Sequence, residues 1–489
     1  MYTVRFQLEL SGSEKRFLSK SFFYANQMHN QLVRYATNRL NALFHDTEYV
    51  GARKTYGKAD FSKKKGSELS ASEKKKKKEL SNIMCIKQKE YNLTKTSMCK
   101  FVSKEQKKYK NYINSHQAQA EAEAVYKGVV KQKCAITGVR LSRWDTICFM
   151  KHYYKVRIPK NEYIQSIISS VDLKEDVVYS FLKRIEFNSG FKYYVVITLR
   201  GDAPKRIKLS EDGGHRTGVD FGTSTIATVS NNEVHLEELA PDSVNYEKEI
   251  RHKQNLVDAS MRKHNPENYN KNGTVKKGKH KWKTTRRCRR LKRQIRVLYR
   301  KQSAYIKTSH HTFINRVVQN TSEFILEPMN FKALQKKSKK TERKDEATAV
   351  KQKDGSFKMV RKYKRKKRYG HSIKNRSPGL MQTDLKTKAT QYGIPYYEID
   401  IHQYRASQLH HDTGEYIKPT LNERFKTVEG CKVQRDLYSA FLIYHTDDTL
   451  TAPDFEACHF DFPHFVKMQD TLILNMKKCG HTMKYCFGF

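Results

Sequence analysis

The sequence predicts an α/β protein with added β-barrel and helical parts, because three textures alternate along its 489 residues. Runs such as YTVRFQLEL at 2–10, and the pair around Asn188-Ser189-Gly190, alternate apolar and polar residues as half-buried strands do. Stretches such as 14–44 and 281–320 repeat apolar residues at three- and four-residue steps, the period of a helix. From residue 213 onward, short apolar runs end at acids, as in GVDFGTSTIATVS at 218–230.

In chain order, Ser11-Gly12-Ser13 ends the first strand and caps the helix that follows. Phe17, Phe22, Met28, Leu32, Tyr35, Leu40 and Leu43 fall on its apolar face. The stretch 66–128 is also helical in texture and carries the run Lys74–Lys78, whose simplest role is a solvated face. Between 138 and 201 the runs YYKVRIP, VVYSFLKRIEF and YYVVITLRG are strand-like, with Asn188-Ser189-Gly190 as a hairpin turn. One strand at the start and several near residue 200 predict a barrel over 1–12 and 138–212, interrupted by a helical part at 13–137.

A second α/β part is expected over 213–334 and 377–447, with strands at 216–222, 225–230 and 233–238. Residues 281–320 form one expected helix, and no Asp or Glu occurs between 281 and 301 to neutralise its basic first half. Arg286, Arg287, Arg289, Arg290 and Arg293 in that half are candidate phosphate contacts. Residues 335–376 are a low-complexity basic insert with too few apolar residues for a core, expected to stay mobile until nucleic acid orders it. Ser377-Pro378-Gly379 opens a helix that Gly393 ends, and IPYYEID at 394–400 is a strand. Residues 401–435 are an expected insertion and 448–489 a C-terminal tail.

Three acids stand out in the second part: Asp220 at a strand end, Glu327 after the apolar run FIL, and Asp436 at the start of DLYSAFLIY. Each alone has an ordinary explanation, since Asp favours turns beside Gly and caps helices. A strand Asp, a strand Glu and a helix Asp in that order are what an RNase H-like fold brings to one end of its sheet. Such a cluster holds two Mg²⁺ ions, with Mn²⁺ able to substitute, which activate a water and stabilise the leaving oxygen of a phosphodiester.

Composition restricts the partner. With 96 Lys+Arg against 50 Asp+Glu, the formal charge of +46 points to a polyanion, and nucleic acid leads. No apolar run approaches the length of a membrane span, and the Met-Tyr-Thr-Val-Arg start lacks signal-peptide order, so a soluble, cytoplasmic protein is expected, nucleoid-associated when bound to DNA. Nine cysteines without any CxxC argue against a disulfide framework and against a zinc knuckle.

GVDFGTSTIATVS, FILEPMNFKAL at 324–334 and GCKVQRDLYSAFLI at 430–443 resemble, in order, the three RuvC motifs of the TnpB family of transposon-encoded nucleases and of the compact type V CRISPR effectors related to it. SPGLMQTDLKTKATQYGIPYYEID resembles the helix and strand that this family places between its second and third motifs. The specific match covers about 215–445, whereas the N-terminal half matches only in layout, as a wedge barrel interrupted by a recognition lobe. The resemblance implies an RNA-guided DNA endonuclease whose guide RNA pairs with the target, while the protein reads a short motif flanking it on double-stranded DNA. It makes Asp220, Glu327 and Asp436 the catalytic acids. A guided DNA-binding repressor without cleavage and an unguided RNase H-like nuclease are the alternatives.

The sequence departs from the family where a zinc ribbon of two CxxC pairs is common. The interval 401–435 holds only Cys431, and His410 and His411 do not complete a four-ligand site. The tail offers Cys458, His459, His464, Cys479, His481 and Cys486 at irregular spacing. Zinc is therefore not expected, and 401–435 is expected to be a metal-free loop held by packing. Arg424 and Arg435 flank the third acid and could hold a phosphate or pair with a carboxylate.

Overall fold

The structure is a computed structural model that describes residues 1–61, 69–132, 134–335, 343–352, 356–363, 370–420, 422–481 and 486–489. It divides into two units, Met1–Pro204 and Lys205–Phe489.

In the first unit, Val4, Phe6 and Leu8 alternate inward along β1 (Tyr2–Glu9). Ser11 then starts α1 (Gly12–Leu43) through a capping box: the Ser11 N–H donates to Glu14 Oε2 at 2.7 Å, and the Glu14 N–H donates to Ser11 Oγ at 3.3 Å. The helices α2 (Thr47–Lys58), α3 (Ala71–Glu90), α4 (Lys95–Gln106) and α5 (Ser115–Tyr126) follow. Met28, Leu32, Val102, Ala118 and Ala122 make a helical core with them. No residue of α3 is buried, so the run Lys74–Lys78 lies on a solvated helix.

The strands β2 (Ala135–Ile136), β3 (Arg140–Arg143), β4 (Thr146–Phe149) and β5 (His152–Arg157) come next, then α6 (Glu162–Ser170), β6 (Val177–Phe187) and β7 (Gly190–Leu199). They form one antiparallel sheet in the order β2-β6-β7-β1-β5-β4-β3. Its two end strands are joined by only Thr137–Val139. Seven flat strands would set those ends roughly 29 Å apart at ~4.8 Å per strand, yet that link reaches only about 14 Å. The sheet therefore curls its ends toward each other around Phe6, Ile147, Leu182, Val195 and Ile197.

The second unit opens with a meander of β8 (His215–Phe221), β9 (Thr225–Ser230) and β10 (Val234–Glu238), followed by α7 (Ser243–His264), α8 (Arg286–Gln319), β11 (Thr321–Leu326) and α9 (Phe331–Leu334). Then come β12 (Arg343–Lys351), β13 (Phe357–Tyr363), α10 (Gly370–Arg376), α11 (Pro378–Tyr392) and β14 (Tyr396–Glu398). The chain continues through β15 (Phe425–Val428), β16 (Cys431–Gln434), α12 (Arg435–Tyr444) and α13 (Phe455–Lys478). The main sheet runs β10-β9-β8-β11-β14; β8 is antiparallel to β9 and parallel to β11, which is parallel to β14. Alternation splits each strand between two cores. Val219, Phe221, Phe324 and Leu326 pack with Phe313–Val318 of α8 and with α11, whereas Ala227, Val229, Leu236 and Ile325 pack with α12 and α13.

Several expectations are corrected. The helix expected over 281–320 starts at Arg286, where Thr285 Oγ1 accepts the Cys288 N–H at 3.1 Å. The preceding residues are held in another path by Asn268, which donates to the Lys281 carbonyl, and by Asn265, which bonds both polar backbone groups of Lys283. In the basic insert, 336–342, 353–355 and 364–369 lie outside the described residues. Its described parts form the β12–β13 hairpin and α10, so 335–376 is not without structure of its own. Ile373 joins the sheet's core and Arg376 pairs with Glu238, which brings the fold back at 370 instead of 377. The expected tail over 448–489 is largely α13, whose Cys458, Phe462, Phe465, Gln469, Ile473 and Met476 are buried at helical spacing despite Pro463 inside the helix. The strands expected from 138 form a sheet that also takes in Ala135–Ile136, and from Lys205 the chain belongs to the second unit. Among the described residues no helix is long and apolar enough to cross a membrane.

Candidate active site

Asp220 is the sixth residue of β8, and its register fixes where it points. β8 and β11 pair in parallel with Gly218 beside Ile325 and Val219 beside Leu326. One further step sets Glu327, just past the end of β11, beside Asp220. Paired residues of neighbouring strands share a face. Ile325 faces the α12 side, so Glu327 and Asp220, each two residues on from the Ile325–Gly218 pair, face it too.

Gly218 explains how α12 reaches this face. A Cβ at Gly218 would come within 3.0 Å of the Ala440 carbonyl oxygen and the Tyr444 backbone nitrogen, so only a glycine lets the helix lie against the strand. Arg216, earlier on β8, donates to the Thr446 carbonyl at 2.9 Å, beyond the C-terminal end of α12. The helix therefore runs antiparallel to β8. Asp436 sits one turn before Ala440, about 6 Å along the helix, and Asp220 lies two residues past Gly218, about 7 Å along the strand. Strand and helix thus carry the two acids to the same end.

The electrostatics agree with this geometry. Burial pushes the Asp220 carboxyl well above its ordinary range, and the negative charges of Asp436 and Glu327 push it the same way, with Arg435 opposing. Burial raises Glu327 as well. By surface area Asp220 is only partly covered, but its carboxyl is enclosed among these neighbours. Asp220 makes no hydrogen bond to the Gly222 turn among the described residues, and the cap of α12 is Gln434, whose side chain accepts the Leu437 N–H at 2.8 Å. Neither Asp is therefore occupied by the turn or capping role that its type favours.

Crowded carboxylates are hard oxygen donors whose mutual repulsion a divalent cation removes, so the donor set fits Mg²⁺. Among the described residues, the trio of ligand atoms that all lie within 4.8 Å of one another is found elsewhere, at His411, Glu429 and His459.

Arg435 donates through Nε at 3.2 Å and Nη2 at 3.0 Å to Asp436 Oδ1, and through Nη1 to the Glu423 carbonyl. Arg424 Nη1 lies 4.0 Å from Asp436 Oδ2, and the Arg435 N–H donates to the Arg424 carbonyl at 2.8 Å. Both guanidinium groups thus stand beside the third acid. Cys486 was not anticipated here. Ser224 hydrogen-bonds to its thiol, and Arg424 and Asp436 act on it electrostatically. Gly218 was legible as part of the GVDFG run, but its packing role was not.

Arg286, Arg287, Arg289, Arg290 and Arg293 are exposed on the first turns of α8. Cys288 and Leu291 between them pack on Val257 of α7, whereas the residues of α8 in the sheet's core begin at Phe313. The arginines therefore stand apart from the sheet, Cys288 being roughly 37 Å from Phe313 along the helix. His410, His411 and Cys431 do not assemble as one set. The His411 ring turns to Tyr438 and Glu429, and all nine cysteines are free thiols.

No protein-family model matches the chain, and no curated protein matches it. Among solved structures, it is similar to the Cas12f1–sgRNA–target DNA complex determined by cryo-EM, at 12% identity over 87% of this chain and 82% of that one, with a TM-score of 0.38. It is also similar to the cryo-EM structure of a CRISPR-Cas12f ternary complex, at 12% identity over 91% of this chain and 86% of that one, with a TM-score of 0.28.

Proposed function

We propose that this protein is an RNA-guided DNA endonuclease, TnpB-like or a miniature type V effector, that hydrolyses a phosphodiester at Asp220, Glu327 and Asp436. The observation that carries the reading is the convergence of these acids from β8, the end of β11 and the start of α12 at one end of a sheet ordered β10-β9-β8-β11-β14. Three motifs that resemble, in order, those of RuvC nucleases and a charge of +46 support it. In this reading the second unit is RuvC-like, the curled sheet of the first unit is the wedge barrel, and α1–α5 are the recognition lobe.

Asp220, Glu327 and Asp436 would hold two Mg²⁺ ions, which supply an activated water and a counter-charge for the leaving oxygen. Arg424 and Arg435 would hold the scissile phosphate in place, because a guanidinium fork matches phosphate oxygens in pairs. The five arginines of α8 would bind backbone phosphates farther along the nucleic acid. A guide RNA would select the target by pairing.

The experiment is purification of the full chain with its copurifying RNA, sequencing of that RNA, and incubation with DNA matching it beside a randomised flank in Mg²⁺ or chelator. Cleavage of the matched DNA only, lost in chelator, is the expected result. Transposon-end or CRISPR-repeat sequence in the RNA would separate the two sources of guide. Cutting of structured DNA by RNA-free protein would replace this reading with an unguided nuclease, and guided binding without cutting would replace it with a repressor.

A further inference from the structure

Away from the acids, three segments far apart in sequence bring His411, Glu429 and His459 together. His411 Nε2 lies 3.2 Å from Glu429 Oε1, and His459 Nδ1 lies 2.5 Å from the same oxygen. The His411 and His459 rings are 4.8 Å apart between centroids. We propose that these residues form a binding site for a divalent metal ion of the zinc class, tying the 401–434 segment to α13.

Four features support a metal over an ordinary pair of histidines sharing a carboxylate. The donor set of two imidazoles and one carboxylate is a common zinc set, whose tetrahedral geometry places neighbouring donors about 3.3 Å apart. The His411–Glu429 separation already has that value, and the half-exposed His459 has room to open the shorter contact.

His411 is held as metal-binding histidines are. Its ring is fully buried, and Nδ1 lies 2.8 Å from the Tyr438 hydroxyl, whose oxygen also accepts the His411 N–H at 3.0 Å. Such a bond to the far nitrogen fixes the ring and leaves the near nitrogen for the metal. That near nitrogen, Nε2, is buried and makes no aligned hydrogen bond among the described residues, although it faces Glu429.

Glu429 occupies a position that its residue type does not favour. Val428 pairs with Cys431, so Glu429-Gly430 is a two-residue hairpin turn, with φ of 48° at Glu429 and 73° at Gly430. Such a turn prefers Asn, Asp or Gly at its first position, where a longer side chain is strained. A glutamate kept there, with its N–H donated to Asp412 Oδ2 at 3.1 Å, aims a carboxylate at both imidazoles. Glu429 and His459 also keep one side of the cluster open to solvent, which leaves room for a water as fourth ligand. The site replaces the expected metal-free loop, and it draws His411 and His459 from two residue sets that were each incomplete alone.

The test uses the full chain, freed of metal by chelator and titrated with Zn²⁺ against a chromogenic competitor, with thermal melting in parallel. One Zn²⁺ per chain with a Kd below about 1 µM and a raised Tm are expected. Glu429→Asn suits the turn and His459→Gln lies on a half-exposed helix face, so both variants are expected to fold, melt no lower than the metal-free parent and bind Zn²⁺ at least about tenfold more weakly. The double variant Asp220→Asn/Glu327→Gln should keep the ion. Absence of binding in the parent overturns the proposal, as does undiminished binding in both cluster variants, or loss of the ion in the acid-end variant.

Discussion

The two faces of α12 serve two unlike clusters. Asp436 turns toward β8, Asp220 and Glu327, whereas Tyr438, two residues on and so about 200° around the helix, turns toward His411. At the acid end every donor is an oxygen, and burial together with like charges drives Asp220 toward its protonated form. At the other face the donors are mixed, and burial keeps the His411 imidazole below its ordinary value, hence neutral. The same physical cause, burial, therefore opposes full negative charge at one cluster and uptake of a proton by the imidazole at the other. One buried helix can carry both because its two faces are separately packed, against a glycine strand on one side and an aromatic cluster on the other.

The largest effect should come from the acids. Asp220→Ala, Glu327→Ala or Asp436→Ala should each reduce cleavage by about 10²–10³-fold or more, the equivalent of several kcal/mol, with guide and target binding retained. Undiminished cutting by any one of them would remove that residue from the cluster.

Next come the five arginines of α8, which stand on the part of that helix packed against α7 and away from the sheet. Replacing Arg286, Arg287, Arg289, Arg290 and Arg293 by Gln should lower the salt slope of binding by roughly 0.7–0.9 for each phosphate no longer neutralised, for matched and mismatched targets alike. Measured at constant guide occupancy, an unchanged slope would leave the helix with no role on nucleic acid.

Gly218→Ala would separate the two faces. It should cost about 1–3 kcal/mol by overpacking and lower cleavage by pushing α12 off β8, while Zn²⁺ stoichiometry at His411 holds. Equal damage to both clusters would mean that they move as one.

Melting curves across pH sharpen the contrast further. Because the folded Asp220 carboxyl titrates above its unfolded value, its stabilising contribution is complete only below the carboxylate range and is lost as pH rises through the folded value. In chelator, Asp220→Asn should therefore melt higher than the parent at neutral pH and equally in acid, and Mg²⁺ should close that gap by stabilising the parent. A parent that melts no lower than the variant at neutral pH in chelator would show that the carboxyl is not strained there.

The narrowest effect, confined to one window of pH, concerns Lys426, whose Nζ donates to the Ser407 carbonyl at 3.0 Å and sits 5.5 Å from the Tyr438 ring. Burial, with Arg435 adding to it, lowers its pKa to about 8 from 10.5. The unfolded chain thus binds the extra proton between those values, so stability rises across that window and falls again as pH drops through about 8. Lys426→Met should flatten that rise, on the order of 3 kcal/mol at most. An unaltered pH profile in the variant would show that the ammonium is solvated.

What could be read directly from residues was whatever local chemistry decides. The Ser11–Glu14 capping box, Gly393 with its φ of 74° at the end of α11, and the hairpin at Asn188-Ser189 each depend on neighbours a few residues away. The order of Asp220, Glu327 and Asp436 was legible because the first two acids close apolar runs and the third opens one. α13 was hidden although its buried stripe is periodic, because Pro463 interrupts the pattern and its cysteines and histidines have the chemistry of ligands as well as of a packed face. The start of α8 was misplaced because Asn265 and Asn268, which hold the residues before it, lie 13–18 positions away.

By itself, then, the sequence determined those strands and helices whose ends are marked by local caps, turns and unbroken periodicity, and which acids stand beside their apolar runs, since backbone hydrogen bonds and side-chain periodicity act over a few residues. Tertiary structure alone decided that Glu327 stands beside Asp220, that Gly218 must lack a side chain, and that His411, Glu429 and His459 meet. Those meetings join residues 18 to more than 200 positions apart, and their geometry follows from strand register and helix packing, which no local window contains.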